Sequence, residues 1–301
     1  MGEGEIRADR SGTLEMRRLA RNCIANAHRI LSAQTLSDGN VHDARKEIKK
    51  SRASIRLLRT ALGGARFRRE NARLRAAGRA LNAVRDARVL VRTLDWLGER
   101  DRRLTGDAVY LALSGQLRDS QRRARRQLRK PAPGLISARR TLEQARYSAD
   151  RWPVDPGSWD KLGPAFRRIY AAGRRAALRS RTKPDDHRLH QWRKQVKYLA
   201  HALHVFESLR PSKLAKHAKL AERLADALGD AHDLALLRES VLALARHEAL
   251  RANSVLAAID RHRVRLRRHS LALIARVYPD PPRVMARRLQ HYWQRWREHA
   301  K

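Results

Sequence analysis

Acidic residues are scarce in this chain. Its 301 residues include 30 Asp plus Glu against 68 Lys plus Arg, a formal net charge of +38 with all 13 His neutral. An imbalance of this size strains a compact state by self-repulsion and gathers anions, so a lasting polyanionic partner is the first implication. Cysteine is scarcer still. Cys23 stands alone, which excludes an intramolecular disulfide framework and a Cys-cluster zinc site and suits a reducing compartment. Aromatics are 5% of the chain, and β-branched residues never alternate with polar ones over a useful length, so strand signals are nearly absent. No uncharged apolar run approaches the ~18 residues of a transmembrane helix. The segment from Met1 to Arg7 carries acids where a signal peptide carries bases and leads into no apolar core, so a cytosolic protein is expected.

What is present is Ala, Leu and Arg, all good helix formers, and 42% hydrophobic residues with helical spacing. That is too much patterned apolar content for a disordered basic tail. An all-α fold follows, with helices expected over 13–36, 41–62, 66–97, 107–129, 135–150, 159–181, 186–209, 212–248, 254–277 and 282–299, separated by Gly- and Pro-marked breaks. A chain of this length has room for one large core or two of about 150 residues.

An internal repeat organises the chain. Val41-His42-Asp43-Ala44-Arg45-Lys46-Glu47-Ile48-Lys49 matches Leu189-His190-Gln191-Trp192-Arg193-Lys194-Gln195-Val196-Lys197 at an offset of 190 − 42 = 148. Both contain His-x-x-Arg-Lys-x-x-Lys. Further along, Arg79, Asn82, Val84, Asp86, Ala87 and Leu90 fall against Arg223, Asp226, Leu228, Asp230, Ala231 and Leu234 at an offset of 230 − 86 = 144. The second half is thus four residues shorter between motifs, a difference the Gly63-Gly64 turn region can absorb. A duplication with its boundary in the Trp152 to Ser158 segment is the economical reading.

On a helix with 100° per residue, His42, Arg45, Lys46, Lys49, Arg52 and Arg56 share a stripe about 120° wide, beside an apolar face of Val41, Ala44, Ile48, Ile55 and Leu58. His190, Arg193, Lys194, Lys197, His201 and His204 repeat the basic stripe; Leu189, Trp192, Val196, Leu203 and Phe206 repeat the apolar one. In a chain this rich in Arg a basic helical stripe is ordinarily a solvated face. Repetition argues for more. Like charges at i, i+3 and i+4 disfavour a helix by a few tenths of a kcal/mol each, and no Asp or Glu is interleaved within the stripes to offset them. Only 12 of the 68 basic residues are Lys, yet five of those are Lys46, Lys49, Lys50, Lys194 and Lys197. Arg offers a planar fork for two phosphate oxygens, Lys a compact charge, and His a donor whose charge rises as pH falls toward 6. Two such stripes facing each other would form a trough for a linear polyanion. Metal-dependent phosphoryl hydrolysis needs clustered carboxylates, which the stripes lack.

These helices, the Val84-Arg85-Asp86 and Leu228-Gly229-Asp230 segments that follow them, and the two-half layout resemble the CHAD family, the conserved histidine α-helical domain, from roughly Leu14 to Glu298. The resemblance implies two four-helix bundles related by pseudo-twofold symmetry, whose motif helices line a basic central groove that binds inorganic polyphosphate. It implies a disordered N-terminus over 1–12, a first bundle over 13–150, a linker over 151–158 and a second bundle over 159–301. His42, Arg45, Lys46 and Lys49 carry over in the first half, and His190, Arg193, Lys194 and Lys197 in the second. Arg52, Arg56, His201 and His204 extend the stripes, and Arg174 joins them from the helix before the second motif. Asp86 and Asp230 are expected to hold basic side chains in place; the plainer reading is a surface ion pair worth ~0–1 kcal/mol. The function expected is non-enzymatic polyphosphate binding, at cytosolic polyphosphate granules, with no catalytic residue, metal or cofactor. The alternative is a nonspecific nucleic-acid-binding helical protein, since charge alone fits DNA, RNA, polyphosphate or an anionic membrane.

Overall fold

The computed structural model describes residues 11–129, 132–247 and 252–299. Among them every regular element is helical. The chain runs through α1 (Gly12–Leu31), α2 (Asp38–Leu57), the short α3 (Arg59–Leu62), α4 (Gly64–Ala80), α5 (Asn82–Arg100), α6 (Ala108–Arg129) and α7 (Pro133–Asp150). It continues through α8 (Trp159–Thr182), α9 (Asp186–Val205), α10 (Pro211–His247), α11 (Asn253–Ala272), the short α12 (Ile274–Val277) and α13 (Pro282–Glu298).

Local chemistry starts these helices where the punctuation places them. Ser11 accepts from the Leu14 amide at the head of α1, Ser37 and Asn40 form a reciprocal capping box on α2, and Asp185 accepts from the Arg188 amide on α9. Ser11 and Gly12, counted above with the disordered N-terminus, therefore open α1; residues 1–10 lie outside the described residues. The 151–158 segment is pinned: Trp152 and Val154 are buried, and the Thr13 hydroxyl donates to the Asp155 carbonyl at 2.7 Å.

Apolar faces then decide the packing. In the first half α1, α2, α4 and α7 close a ring, each touching the next; in the second, α9 packs between α8 and α10, and α13 lies on α8. One large core runs through these elements of both halves, with Trp152, Tyr170, Phe166, Trp192 and Phe206 fully buried. A smaller core joins α5 and α6 to the distal part of α10 and to α11 through Leu94, Leu97, Leu113, Leu237, Val241, Val255 and Ile259. Each half thus contributes two helices to it.

The expected single helix over 66–97 is broken at Leu81. Buried Phe67, Leu74 and Ala77 match buried Leu214, Ala221 and Leu224 at an offset of 147, whereas Val84 and Ala87 match Leu228 and Ala231 at 144. One residue of the four is therefore lost near Gly63-Gly64, and three where α4 gives way to α5. Arg45 fills the break. Its Nη1 donates to the Gly78 carbonyl and, at 2.7 Å, to Asn82 Oδ1, taking over an acceptor that the interrupted ladder exposes. In the second half α10 runs unbroken, and the matching Arg193 lies over Gly229 instead, where a Cβ would stand 3.3 Å from its Nε.

Candidate polyanion groove

Where α2 meets α9, matching positions of the repeat face each other. Lys49 feels the charges of Lys197, Arg45, Arg193 and Arg85. Lys49 is exposed while neighbouring side chains lie close around it. Burial, then the neighbouring Lys197 charge, pushes its amine down to about 7. Lys197 is pushed down to about 8 by burial and Arg193, with Asp226 and Asp233 acting in the opposite direction. Among the described residues no carboxylate lies within ion-pair distance of Lys46, Lys49, Lys194 or Lys197. The Nε donors of Arg45 and Arg193, equivalent in the repeat, are both buried with no acceptor among the described residues.

The motif histidines flank this cluster. His42 is held below its ordinary value by burial, then by Arg88 and Lys49. His190 packs against His232 of α10 with ring centroids 4.3 Å apart; burial and then His232 bring His190 to about 4, and burial and then Arg193 and Arg85 bring His232 to about 4. Burial and basic neighbours disfavour the charged form of His190, against the expectation of charge appearing toward pH 6. Lys194 sits among Arg52 and Arg75, lowered first by burial and then by their charges.

Other sequence-predicted residues have different surroundings. Arg56 stacks on Tyr198, its guanidinium carbon 3.8 Å from the ring centroid, and shares Asn71 Oδ1 with Arg52. The Ser54 hydroxyl donates to the Lys50 carbonyl at 3.1 Å and meets His201 Nε2 at 2.9 Å, joining α2 to α9; burial takes His201 to about 4. His204 lies between Glu207 and Glu222, at 3.1 and 2.8 Å. Burial disfavours its charged form, but these hydrogen bonds outweigh burial and raise it. Arg174 lies near Tyr170, whose hydroxyl donates to the Asp280 carbonyl at 3.1 Å, on the α13 side of α8. Lys46 is exposed at the edge of α2.

Asp86 accepts from Arg85 Nη1 at 2.8 Å, while Arg85 Nη2 reaches 3.4 Å across to Asp233 of α10, tying the two halves beside the groove. Asp230 shares a cleft of about 510 Å³ between α5 and α10 with Arg193, Lys197, Asp226 and Asp233; burial and the two neighbouring carboxylates raise it. Sequence reading missed Arg85, Arg88, His232 and Asp233. The 144-residue register carried part of the signal, since it sets Arg88, beside His42, against His232, beside His190. Among the described residues no group of three or more His, Cys, Asp or Glu is placed to hold a metal ion, and no helix is long and apolar enough to cross a membrane.

A CHAD domain family model matches residues 18–242, and the chain belongs to that family. Its fold is similar to the crystal structure of the CHAD domain from the plant Ricinus communis, at a TM-score of 0.64 and 17% identity, covering 91% of this chain and 93% of that one. It is also similar to PptA from Streptomyces chartreusis, at a TM-score of 0.54 and 14% identity, covering 95% and 100%. Among curated protein sequences none matches this chain.

Proposed function

We propose that this protein binds inorganic polyphosphate, without catalysis, in the groove between α2 and α9. The observation that carries the reading is the convergence of Arg45, Lys49, Arg193 and Lys197 with no carboxylate bound to either lysine. Cations so placed cost the empty protein free energy that an anion recovers. The arginine forks suit paired phosphate oxygens and the lysines supply compact charge between them. Asp86 and Asp233, joined to Arg85, hold that guanidinium at the groove margin, and Asp230 acts on Arg193 from the adjoining cleft. Polyphosphate granules are the expected cellular setting.

Competition between long-chain polyphosphate and duplex DNA at about 150 mM salt, near physiological screening, tests the reading. Polyphosphate should displace DNA well below the concentration at which DNA displaces polyphosphate. Equal displacement would mean nonspecific polyanion binding, nucleic acid included. Lys49→Glu with Lys197→Glu should abolish polyphosphate binding with helicity intact, whereas the same charge change at exposed Arg122 and Arg126 should leave it nearly unchanged.

A further inference from the structure

A second concave basic surface lies outside the motif groove, on α8. Arg59, Arg167, Arg168, Arg175 and Arg283 line a cleft of about 620 Å³ whose remaining wall is Ala171, Ala172, Pro281 and Pro282. It adjoins a second cleft of about 550 Å³, bounded by Arg179, Arg188 and His187, through the shared Ala172 and Arg175. Among the described residues no carboxylate lines either cleft. The small alanines keep the floor low, so the guanidinium groups surround the space without filling it.

The repeat gives this surface a built-in comparison. Buried Met16, Leu19, Ala20, Ile24, Ala27 and Leu31 of α1 match buried Leu162, Ala165, Phe166, Tyr170, Gly173 and Ala177 of α8 at a constant offset of 146. That register sets Arg21 against Arg167. Arg21 is neutralised by Asp150 at 2.6 Å. Among the described residues Arg167 has no such partner, and neither Arg59, Arg168, Arg175 nor Arg283 is in an ion pair. Arg168 instead donates to the Thr60 hydroxyl at 3.3 Å, fixing the wall of the cleft to the segment after α2.

A line of cations leads from the motif residues toward the cleft. Arg56 feels the charges of Arg52 on one side and Arg59 on the other, so cations follow α2 from Lys49 through Arg52 and Arg56 into the cleft at Arg59. Ten residues separate Lys49 from Arg59, a path of about 15 Å at helical rise. The α5–α10 cleft, which Arg92, Arg193 and Lys197 also line, holds Asp95, Glu99, Asp226, Asp230 and Asp233, whose charges oppose the passage of an anionic chain on that side. A linear polyanion leaving the groove is therefore drawn one way.

Resting on the polyphosphate reading above, we propose that the α8 arginine cleft is a second phosphate-binding station on the same polymer's path, so that a chain long enough to reach both is held bivalently. Holding the first segment in the groove presents the next to the arginines at high effective concentration, and affinity rises with chain length by more than the number of phosphates alone provides.

Dissociation constants for tripolyphosphate, too short to span both stations, and for long-chain polyphosphate should be measured for the wild-type chain and for Arg167→Glu with Arg175→Glu. Both side chains are exposed, so the fold should tolerate the change. The expected result is tripolyphosphate affinity within about twofold of wild type and long-chain affinity reduced at least tenfold, within the range of avidity lost with one of two linked sites. The Arg122→Glu with Arg126→Glu protein, of equal charge, should lose neither. Unchanged long-chain binding in the α8 variant, with the wild type binding both lengths, would overturn the second station alone. Equal loss for both lengths would overturn it too, by showing a field and not a station, as would loss of duplex DNA binding with polyphosphate binding intact. A wild-type chain that binds neither length would bring down the groove reading and this one together.

Discussion

Filling the groove should draw protons from solution. With Lys49 at about 7 and Lys197 at about 8, the empty protein at pH 8 carries about 0.1 and 0.5 proton on the two amines. A phosphate chain between them favours the charged form of both, so binding takes up about 1.4 protons at pH 8 and about 0.6 at pH 7. The mean across that interval is about one, which makes the limiting loss of affinity about tenfold per pH unit. Solvent access to Lys49 screens part of the effect, so a three- to tenfold loss from pH 7 to 8 is expected. Folding stability of the ligand-free chain should move the opposite way. The folded pKa values lie below the ordinary lysine value near 10.4, so between about 7 and 10 the unfolded chain holds more protons and stability rises with pH. Titration calorimetry at constant ionic strength, in buffers of different ionisation enthalpy, reads the proton uptake directly. Replacing both lysines by Arg, which stays charged throughout, should flatten the profile. Proton uptake near zero at pH 8 in the wild type, or an unchanged slope in the double Arg variant, would refute the reasoning.

Three further outcomes follow from contacts around the groove and core. Gly229→Ala gains about 1 kcal/mol of helix propensity in α10 but places a Cβ 3.3 Å from Arg193 Nε; thermal stability should hold or rise while polyphosphate affinity falls severalfold, measured by a melting curve and a binding isotherm on the same sample. Gly173→Ala drives a Cβ to 3.0 Å from Cε1 of buried Tyr278, whose ring packs on Tyr170 at 5.4 Å, and overpacking of about 1–3 kcal/mol should lower the melting temperature by several degrees. Arg56→Lys keeps the charge but loses the stack on Tyr198 and the planar donors to Asn71, so unfolding in urea should shift by about 1 kcal/mol with tripolyphosphate binding nearly unchanged.

Helices and the repeat were legible because both are written in local spacing. The apolar face that includes Val41, Ala44 and Ile48 recurs as Leu189, Trp192 and Val196, and all six are buried in the same large core. The break at Leu81 was not legible, because the nearby Gly78 falls inside α4 rather than at its end, no Pro follows, and the three extra residues keep helical propensity. The carbonyl freed at the break accepts from the guanidinium of Arg45, far away in sequence. His201 and His204 continue the stripe in a helical projection, but Ser54 and Glu222 come from other elements, and a projection contains no neighbours. Arg85 has the same lesson in reverse: its reach to Asp233 spans the two halves and appears only when α5 and α10 are side by side.

Where the few carboxylates sit separates the site from the field around it. Arg18, Arg21, Arg73, Arg118, Arg238, Arg261, Arg263 and Arg288 each meet an Asp or Glu, so the acids pair locally with these arginines and the +38 surplus is carried by the other cations. Pairing fails where cations converge in concave surface: at Lys49 and Lys197 between α2 and α9, and in the arginine cleft on α8. Mobile ions screen exposed charges beyond a Debye length of about 8–10 Å but reach partly buried ones less. Rising salt should therefore remove the diffuse attraction of the exposed surface first. Binding that survives such salt belongs to the unbalanced clefts, and its dependence on Lys49, Lys197 and the α8 arginines distinguishes a built path for a polyanion from a merely basic protein.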